Sequence, residues 1–366
     1  MPSIYESEIE EMAISEFVEL GYQYVSSYAL SPDEAPDERK SYADTVLSAR
    51  LRNALSRLNP HLPQMALDTA HKTILNLSRQ RNVAGNEQFH KFLIEGVPVE
   101  YRKGESIVGD YAYIFDKEEA KDRNEYLVVN QFTIIENGTQ KRPDIILFVN
   151  GMPLVLFELK NPADANATIS KAFDQIQTYK SAIPQLFVYN EICVISDGLE
   201  AKVGSYTAPY SRYSTWKSKD GTQEASQFED QLSVAINGLF RKDVIRDYLT
   251  YFITYEKTKV ENTDHKTIRI ETVKKIAAYH QYYAVNKAVA STINASSIGG
   301  NQKAGVVWHT QGSGKSLSMA FYAGKLIQKM DNPTIVVITD RNDLDDQLFG
   351  TFAGNSDLLR QPPQQA

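Results

Sequence analysis

From Ile145 to Leu159 the chain is apolar at every position except Asn150, Gly151 and Glu158. Two apolar runs joined by Asn-Gly predict a buried β-hairpin, because Asn and Gly accept the positive φ that a tight hairpin turn demands. A buried hairpin sets the middle of a sheet, and other elements must cover it. Three charges sit at one end of this hairpin: Asp144 at its start, and Glu158 and Lys160 at its finish.

The flanking sequence supplies the cover. Helical apolar spacing appears at Glu8–Leu20, Arg50–Leu58, Met65–Leu75 and Ser170–Lys180, with Pro60 and Pro63 breaking the chain between the second and third. Glu125–Ile135 is rich in β-branched and aromatic residues and reads as a strand, followed by an Asn137-Gly138 turn. With Ile145–Val149 and Leu154–Leu159 it predicts a three-stranded antiparallel meander. Leu186–Val188 and Ile192–Ser196 read as further short strands. Residues 1–205 are thus expected to form a sheet flanked by helices. Tyr206–Gln227 is polar and reads as a connector, and Leu232–Tyr255 reads as a helix. A new pattern starts at Thr267-Ile268-Arg269 and continues as a helix over Thr272–Val289. Strand Gly305–Trp308, helix Ser316–Met330 and strand Thr334–Thr339 then predict a βαβ unit of a parallel sheet.

Glu158 and Lys160 lie two apart on a strand and share a face. An antiparallel hairpin brings Asp144 to the same end. Two carboxylates and a carbonyl at one point make an oxygen-lined site for Mg²⁺. A lysine beside them could orient or deprotonate a water and stabilise charge on a phosphorane, so the trio outlines phosphodiester hydrolysis. The rival reading is a set of solvated strand-end charges, with Lys160 pairing Glu158. Register imposes a condition. A strict two-residue Asn150-Gly151 loop pairs Asp144 with Phe157, and a four-residue loop pairs it with Leu159. A three-residue loop or a bulge is needed to set Asp144 beside Glu158, and Pro153 is a residue type that produces one. Otherwise Asp144, following Pro143, must leave the pleat.

His309-Thr310-Gln311-Gly312-Ser313-Gly314-Lys315-Ser316 follows an apolar run and precedes a predicted helix. This is the setting of a phosphate-binding loop for ATP. Backbone N–H groups of Thr310, Gln311, Gly312, Ser313 and Gly314 would cradle phosphate oxygens at a helix N-terminus. Lys315 would neutralise phosphate charge, and the Ser316 hydroxyl would ligate Mg²⁺. The strict pattern has Gly where His309 stands, and a glycine falls at Gly312 instead. The rival is an ordinary glycine turn capped by Ser316.

Composition bounds the setting. The 366 residues suffice for two or more domains, and a net charge of −7 argues against a generally basic nucleic-acid coat. The single cysteine, Cys193, excludes an internal disulfide framework and a multi-thiolate zinc site. No apolar run approaches the ~20 residues of a membrane helix, and Met1–Glu11 lacks a signal-peptide layout. The expectation is a cytoplasmic protein with no membrane partner.

The order of motifs carries a resemblance. Asn130-Gln131-Phe132, Arg142-Pro143-Asp144, Phe148-Val149-Asn150-Gly151 and Phe157-Glu158-Leu159-Lys160-Asn161-Pro162 resemble the nuclease domain of the restriction (motor) subunit of type I restriction–modification enzymes. The hairpin is similar to the P-D…(D/E)-x-K nuclease core. Val306–Ser316 is similar to helicase motif I of the same subunit. The implied fold class is α/β: a PD-(D/E)xK restriction-endonuclease-like domain over 1–205, a connector with a helical segment over 206–260, and the N-terminal part of a RecA-like P-loop helicase lobe over 261–366.

The resemblance implies further roles. Gln175 and Tyr179, four apart on one helix face, resemble the family's Q-x-x-x-Y motif beside the nuclease site, where they would contact DNA or support the site; a surface-helix pair is the rival. Gln281 in Tyr279-His280-Gln281 resembles the adenine-reading glutamine of superfamily 2 helicases, against a polar residue on a helix surface. Glu10 or Glu11 is similar to the family's accessory metal-site acid, against a solvated helix charge. Thr339-Asp340-Arg341 resembles helicase motif Ia at the DNA backbone, against a strand-end turn. The implied partners are double-stranded DNA and the methylase (modification) and specificity subunits.

The sequence lacks an Asp-Glu-x-His acid and a second RecA-like lobe after the loop. It therefore reads as an N-terminal fragment or truncated product, expected to bind nucleotide weakly and not to hydrolyse ATP efficiently or translocate alone. The main functional expectation is a Mg²⁺-dependent endonuclease subunit driven by ATP in its full assembly. The alternatives are a non-catalytic remnant that binds nucleotide or partner subunits, and an unrelated P-loop ATPase with a merely structural hairpin.

Overall fold

The computed structural model describes residues 6–118, 120–161, 168–262, 267–331, 333–339, 342–359 and 362–364. The chain divides into two compact units, Met1–Arg246 and Asp247–Ala366.

The first unit runs α1 (Glu6–Glu19), β1 (Gln23–Tyr24), α2 (Ser48–Leu58), α3 (Gln64–Asn76), α4 (Val83–Glu95), β2 (Val97–Lys103), β3 (Ser106–Ala112), β4 (Tyr126–Asn130), β5 (Ile134–Glu136), β6 (Thr139–Lys141), β7 (Ile145–Val149), β8 (Met152–Leu159), α5 (Ile169–Ala182), α6 (Pro184–Tyr189), β9 (Ile192–Ser196), β10 (Ala201–Gly204) and α7 (Gln231–Leu239). A helix α8 (Lys242–Tyr251) crosses the division. Six strands form one mixed sheet in the order β1-β4-β7-β8-β9-β10. β4, β7 and β8 are antiparallel neighbours, and β8 and β9 run parallel. A parallel pair needs a crossover, and α5 and α6 provide it.

The hairpin β7–β8 lies at the centre of this sheet with every residue of both strands buried. Its unbroken hydrophobicity follows from cover on both faces. On one face Leu127, Ile146, Phe148 and Leu156 pack with Ala172, Ile176 and Tyr179 of α5. On the other, Phe157 and Phe240 meet at a tilt and Phe17 of α1 packs edge-to-face on both. Glu158 and Lys160 follow Leu156 at period two, so they belong to the α5 face.

Several sequence expectations need correction. The strand expected over Glu125–Ile135 is broken at Gln131–Thr133, and Asn137-Gly138 closes a separate small hairpin, β5–β6. The β4–β7–β8 order survives. Leu186–Val188 is helical, because Pro184 opens a helix at its first turn and a short apolar run has no period to distinguish strand from helix. The helix expected over Leu232–Tyr255 stops at Leu239, restarts at Lys242, and gives way to a strand at Ile253. The 206–227 stretch has one short helical turn, yet Tyr206, Tyr213 and Trp216 are buried, so it packs into the first unit.

The second unit opens on a long antiparallel hairpin, β11 (Ile253–Asn262) and β12 (Thr267–Ile276), followed by α9 (Tyr279–Ser296), α10 (Lys315–Lys329) and α11 (Asn342–Gly354). The helix expected from Thr272 therefore begins at Tyr279. The alternation of Ile268, Ile270, Thr272 and the residues between them is a strand pattern that outweighs the helical one. Of the expected βαβ unit only the helix α10 is present among the described residues. Gly305–Trp308 and Thr334–Thr339 enter no ladder among the described residues, and Trp308 and Ile338 are 91% and 87% exposed. A parallel strand persists only with a hydrogen-bonding neighbour, and none of the described residues supplies one. No helix among the described residues is long and apolar enough to cross a membrane.

Candidate active site

The turn that sets the site is built from Asn150 and Gly151, with φ of +51° and +80° and Val149 paired to Met152. Both positive values match the hairpin turn whose twist suits the flanking strands. The Asn150 side chain is fully buried and saturated. Its Oδ1 accepts from Glu125 N and Arg57 Nη2, and its Nδ2 donates to Ile114 O and Asn124 Oδ1. Gly151 admits no substitute, since a Cβ there would stand 2.5 Å from Leu47 O.

The register then slips. Phe148 pairs with Pro153, but Leu147 pairs with Val155, so Leu154 is an extra residue on β8. This bulge changes the arithmetic of the hairpin. Ile145 comes opposite Phe157, and the next position outward sets Asp144 opposite Glu158. The irregularity that the three charges required lies at Leu154, directly after Pro153.

Asp144 and Glu158 are both buried, at 5% and 2% exposure. Asp144 Oδ2 accepts from Leu159 N at 2.7 Å. Glu158 Oε1 accepts from Lys160 Nζ at 2.5 Å, and the same ammonium donates to Leu159 O at 2.8 Å. Glu158 Oε2 is buried and has no hydrogen-bond partner. Burial pushes the Glu158 carboxyl up to about 8, with the Asp144 charge adding to it and Lys160 opposing. Burial likewise raises Asp144 to about 6, against the Leu159 N–H and Lys160. Burial alone would depress the Lys160 ammonium, but Glu158 and Asp144 outweigh it and hold it above its ordinary value. The rival reading of solvated strand-end charges does not describe these carboxylates, although the Lys160–Glu158 pair it invoked is present.

Around this trio stand residues from two helices and a loop. Tyr179 of α5 is buried over the site. Its hydroxyl donates to Arg142 O at 3.5 Å and is held above its usual pKa by burial and then by Glu158 and Asp144, with Gln175 one turn away on the same helix. On α1, Glu10 is buried while Glu11 is exposed, so only Glu10 turns toward the site. Its two oxygens accept from Asn130 Nδ2 at 2.6 Å and Gln131 Nε2 at 2.7 Å. Gln131 Nε2 also donates to Asp144 Oδ1 at 3.2 Å. Asn130 and Gln131 stood among the motifs that carry the family resemblance, but that resemblance gave neither a role. Among the described residues no three acids, histidines or cysteines converge closely enough to hold a metal by themselves. A cation here would draw on Asp144, Glu158 and the Leu159 carbonyl. The unpartnered Glu158 Oε2 and the mutual destabilisation of two buried carboxylates fit such a group.

In the second unit the glycine loop turns at Gly312 and Gly314, with φ of +82° and +79°, and α10 starts at Lys315. Thr310 and Gln311 are exposed, and Ser316 lies in the first helical turn. Lys315 Nζ donates to His309 O and Thr310 O at 3.0 and 3.1 Å. Gln281 is buried, not a surface residue. It accepts from Ala278 N at 2.9 Å and donates to Gly314 O at 3.1 Å, so the glutamine and the loop are joined. His280 Nε2 lies 3.1 Å from Ser313 O. Thr339 is described, whereas Asp340 and Arg341 of the expected motif Ia lie outside the described residues.

The chain has relatives among known proteins. Residues 3–212 match the family model described as type I restriction enzyme R protein N terminus, and residues 280–366 match one described as SWI2/SNF2 ATPase. The chain belongs to the type I restriction enzyme R protein family. It is 43% identical, over 98% of its length, to the type I restriction enzyme HindI endonuclease subunit of Haemophilus influenzae. It is 28% identical, over 63% of its length, to the SauCOLORF180P endonuclease subunit of Staphylococcus aureus. The chain spans about a third of the first of these proteins, 34%, and 23% of the second.

Proposed function

We propose that the first unit is the DNA-cleaving domain of a type I restriction enzyme, with a PD-(D/E)xK nuclease fold and a Mg²⁺-dependent site made by Asp144, Glu158 and Lys160. The observation that carries this reading is the bulge at Leu154, which sets two buried acids opposite each other and leaves Glu158 Oε2 without a partner. A divalent cation held by Asp144, Glu158 and the Leu159 carbonyl would supply Lewis acidity and positive charge beside a scissile phosphate. The protein's own groups do the remainder. Lys160 is tied to Glu158 by a hydrogen-bonded ion pair. Its role would be to orient or deprotonate a water and to stabilise negative charge on phosphorus. Tyr179 and Gln175 close the α5 side and would meet the DNA backbone, and Glu10 supports the metal site from α1.

The second unit is proposed as the first part of a RecA-like helicase lobe. Its loop Thr310–Ser316 would bind ATP, with Lys315 on the phosphates, Ser316 on Mg²⁺ and Gln281 reading adenine. In the bonding pattern seen, Lys315 must release two carbonyls before it can meet phosphate. Double-stranded DNA would be pumped by the complete subunit in assembly with methylase and specificity subunits, the latter choosing the DNA sequence.

The test is a reconstituted assembly cleaving plasmid. Asp144→Ala and Lys160→Ala should abolish cleavage and leave ATP turnover intact, while Lys315→Ala should abolish ATP turnover. Normal cleavage by Lys160→Ala would overturn the nuclease assignment. Incubating the chain alone with plasmid and Mg²⁺, without ATP, separates a competent nuclease from a binding remnant.

A further inference from the structure

Gln131 stands just past the end of β4 in the left-handed region, at φ +49°. Non-glycine residues other than Asn and Asp rarely adopt it, and where they do the surroundings hold them there. Here the conformation has two results. The Gln131 N–H donates to Asp144 O at 2.9 Å. The side-chain amide points the same way, and its single nitrogen donates both to Glu10 Oε2 at 2.7 Å and to Asp144 Oδ1 at 3.2 Å. That nitrogen has two hydrogens, one for each carboxylate. The second Glu10 oxygen is held by Asn130 Nδ2, and Asn130 Oδ1 in turn accepts from Tyr24 OH at 3.0 Å.

We infer that Gln131 is the positioning residue of the metal site: its amide bridges the Glu10 and Asp144 carboxylates and aims both before a cation arrives. Glu10 comes from the first helix and Asp144 from the central hairpin, so nothing in the chain's connectivity brings them together. Two unbridged carboxylates would splay apart by repulsion. A lysine or arginine could join them, but its charge would neutralise what a cation is meant to find. A neutral amide joins them without that cost. Since both carboxylates bond one nitrogen atom, their oxygens lie no farther apart than these two bonds laid end to end. Outer-shell groups of this kind typically change metal affinity by about 10- to 100-fold.

This inference rests on the proposed metal site, and the experiment separates the two. Mn²⁺ binding to the full chain is measured by calorimetry without nucleotide, alongside thermal unfolding in EDTA. Gln131→Gly suits the left-handed backbone and removes the amide; Gln131→Asn suits it and shortens the amide by one methylene, out of reach of a double bridge. Both variants should remain folded at the assay temperature in EDTA and bind Mn²⁺ about tenfold or more weakly. Asp144→Asn should abolish the same binding event. An unchanged or higher Mn²⁺ affinity in Gln131→Gly, with Asp144→Asn impaired, overturns the positioning role alone. So does a lowered unfolding temperature with unchanged affinity, which marks Gln131 as a purely structural closure of the strand. Wild-type affinity in Asp144→Asn, or no Mn²⁺ binding at all, removes the metal site and this role with it.

Discussion

Replacing Glu158 by Gln should make the metal-free protein more stable at alkaline pH while destroying its proposed chemistry. Glu158 is almost wholly buried, and its carboxyl is raised from 4.5 to about 8 by burial and then by Asp144. A carboxyl raised in the folded state carries no penalty below 4.5, where folded and unfolded chains are both protonated. As the pH climbs from 4.5 to about 8, the unfolded chain ionises while the folded one keeps its proton, and stability is lost throughout that window. At about 1.4 kcal/mol per pH unit, the span amounts to roughly 5 kcal/mol above pH 8. Asp144, raised from 3.8 to about 6, adds a loss of the same sign at lower pH. Glutamine fills the same volume and still accepts a hydrogen bond from Lys160, and the value of about 8 already contains the ion pair that is lost. Halving the gross figure for relaxation and water penetration around buried charge leaves a net gain of roughly 2 kcal/mol. For a domain of this size the unfolding temperature should rise by about 4–8 °C at pH 8 in EDTA, and by nothing measurable at pH 4.5. Calorimetric or circular-dichroism melts of the two proteins at both pH values make the comparison. Adding Mg²⁺ at pH 8 should raise the wild type and not the variant, narrowing the gap. A variant no more stable than wild type at pH 8 in EDTA would refute the reasoning, as would a difference that does not vary with pH.

Two further outcomes follow from the geometry. Gly151→Ala should cost about 2 kcal/mol or more in urea unfolding, because a Cβ at φ +80° would stand 2.5 Å from a backbone oxygen. Gly138→Ala has a similar φ of +77° but open space around it, and should cost only about 1–2 kcal/mol; equal losses would discredit the packing argument. Gln281→Ala should weaken binding of a fluorescent ATP analogue about tenfold and erase any preference for ATP over GTP. A wild-type chain that binds the two nucleotides alike would sink the adenine-reading role.

The sequence carried the hairpin, its polar end and the need for an irregular turn, because a period-two strand permits register arithmetic. That Pro153 would accompany the slip was legible, and the residue that bulges, Leu154, was not, since either neighbour of the proline would satisfy the count. The four-residue spacing of Gln175 and Tyr179 showed that they share one face of α5; that this face meets the site came only from the family resemblance. The choice between Glu10 and Glu11 was not, because adjacent residues on a helix differ by the roll of the helix on its neighbours, which only packing decides. Gln131 was visible only as part of the Asn130-Gln131-Phe132 resemblance; its task was not, because no local signal announces a left-handed glutamine and its partners lie 121 and 13 residues away. In the second unit, Thr272–Val289 was assigned one period when it contains two, a strand to Ile276 and a helix from Tyr279.

The two Asn-Gly turns differ in how they should age. Asparagine followed by glycine is chemically vulnerable, because the glycine amide nitrogen can attack the side-chain carbonyl and leave aspartate or isoaspartate behind. The attack needs a side chain free to rotate onto the backbone. Asn137 sits in an exposed turn with space around Gly138, whereas Asn150 is buried with both ends of its amide engaged. The same four hydrogen bonds that shape the central turn thus shield it from deamidation. The protection matters, since isoaspartate adds an atom to the main chain, and an added atom at position 150 would shift the strand that carries Glu158 away from Asp144.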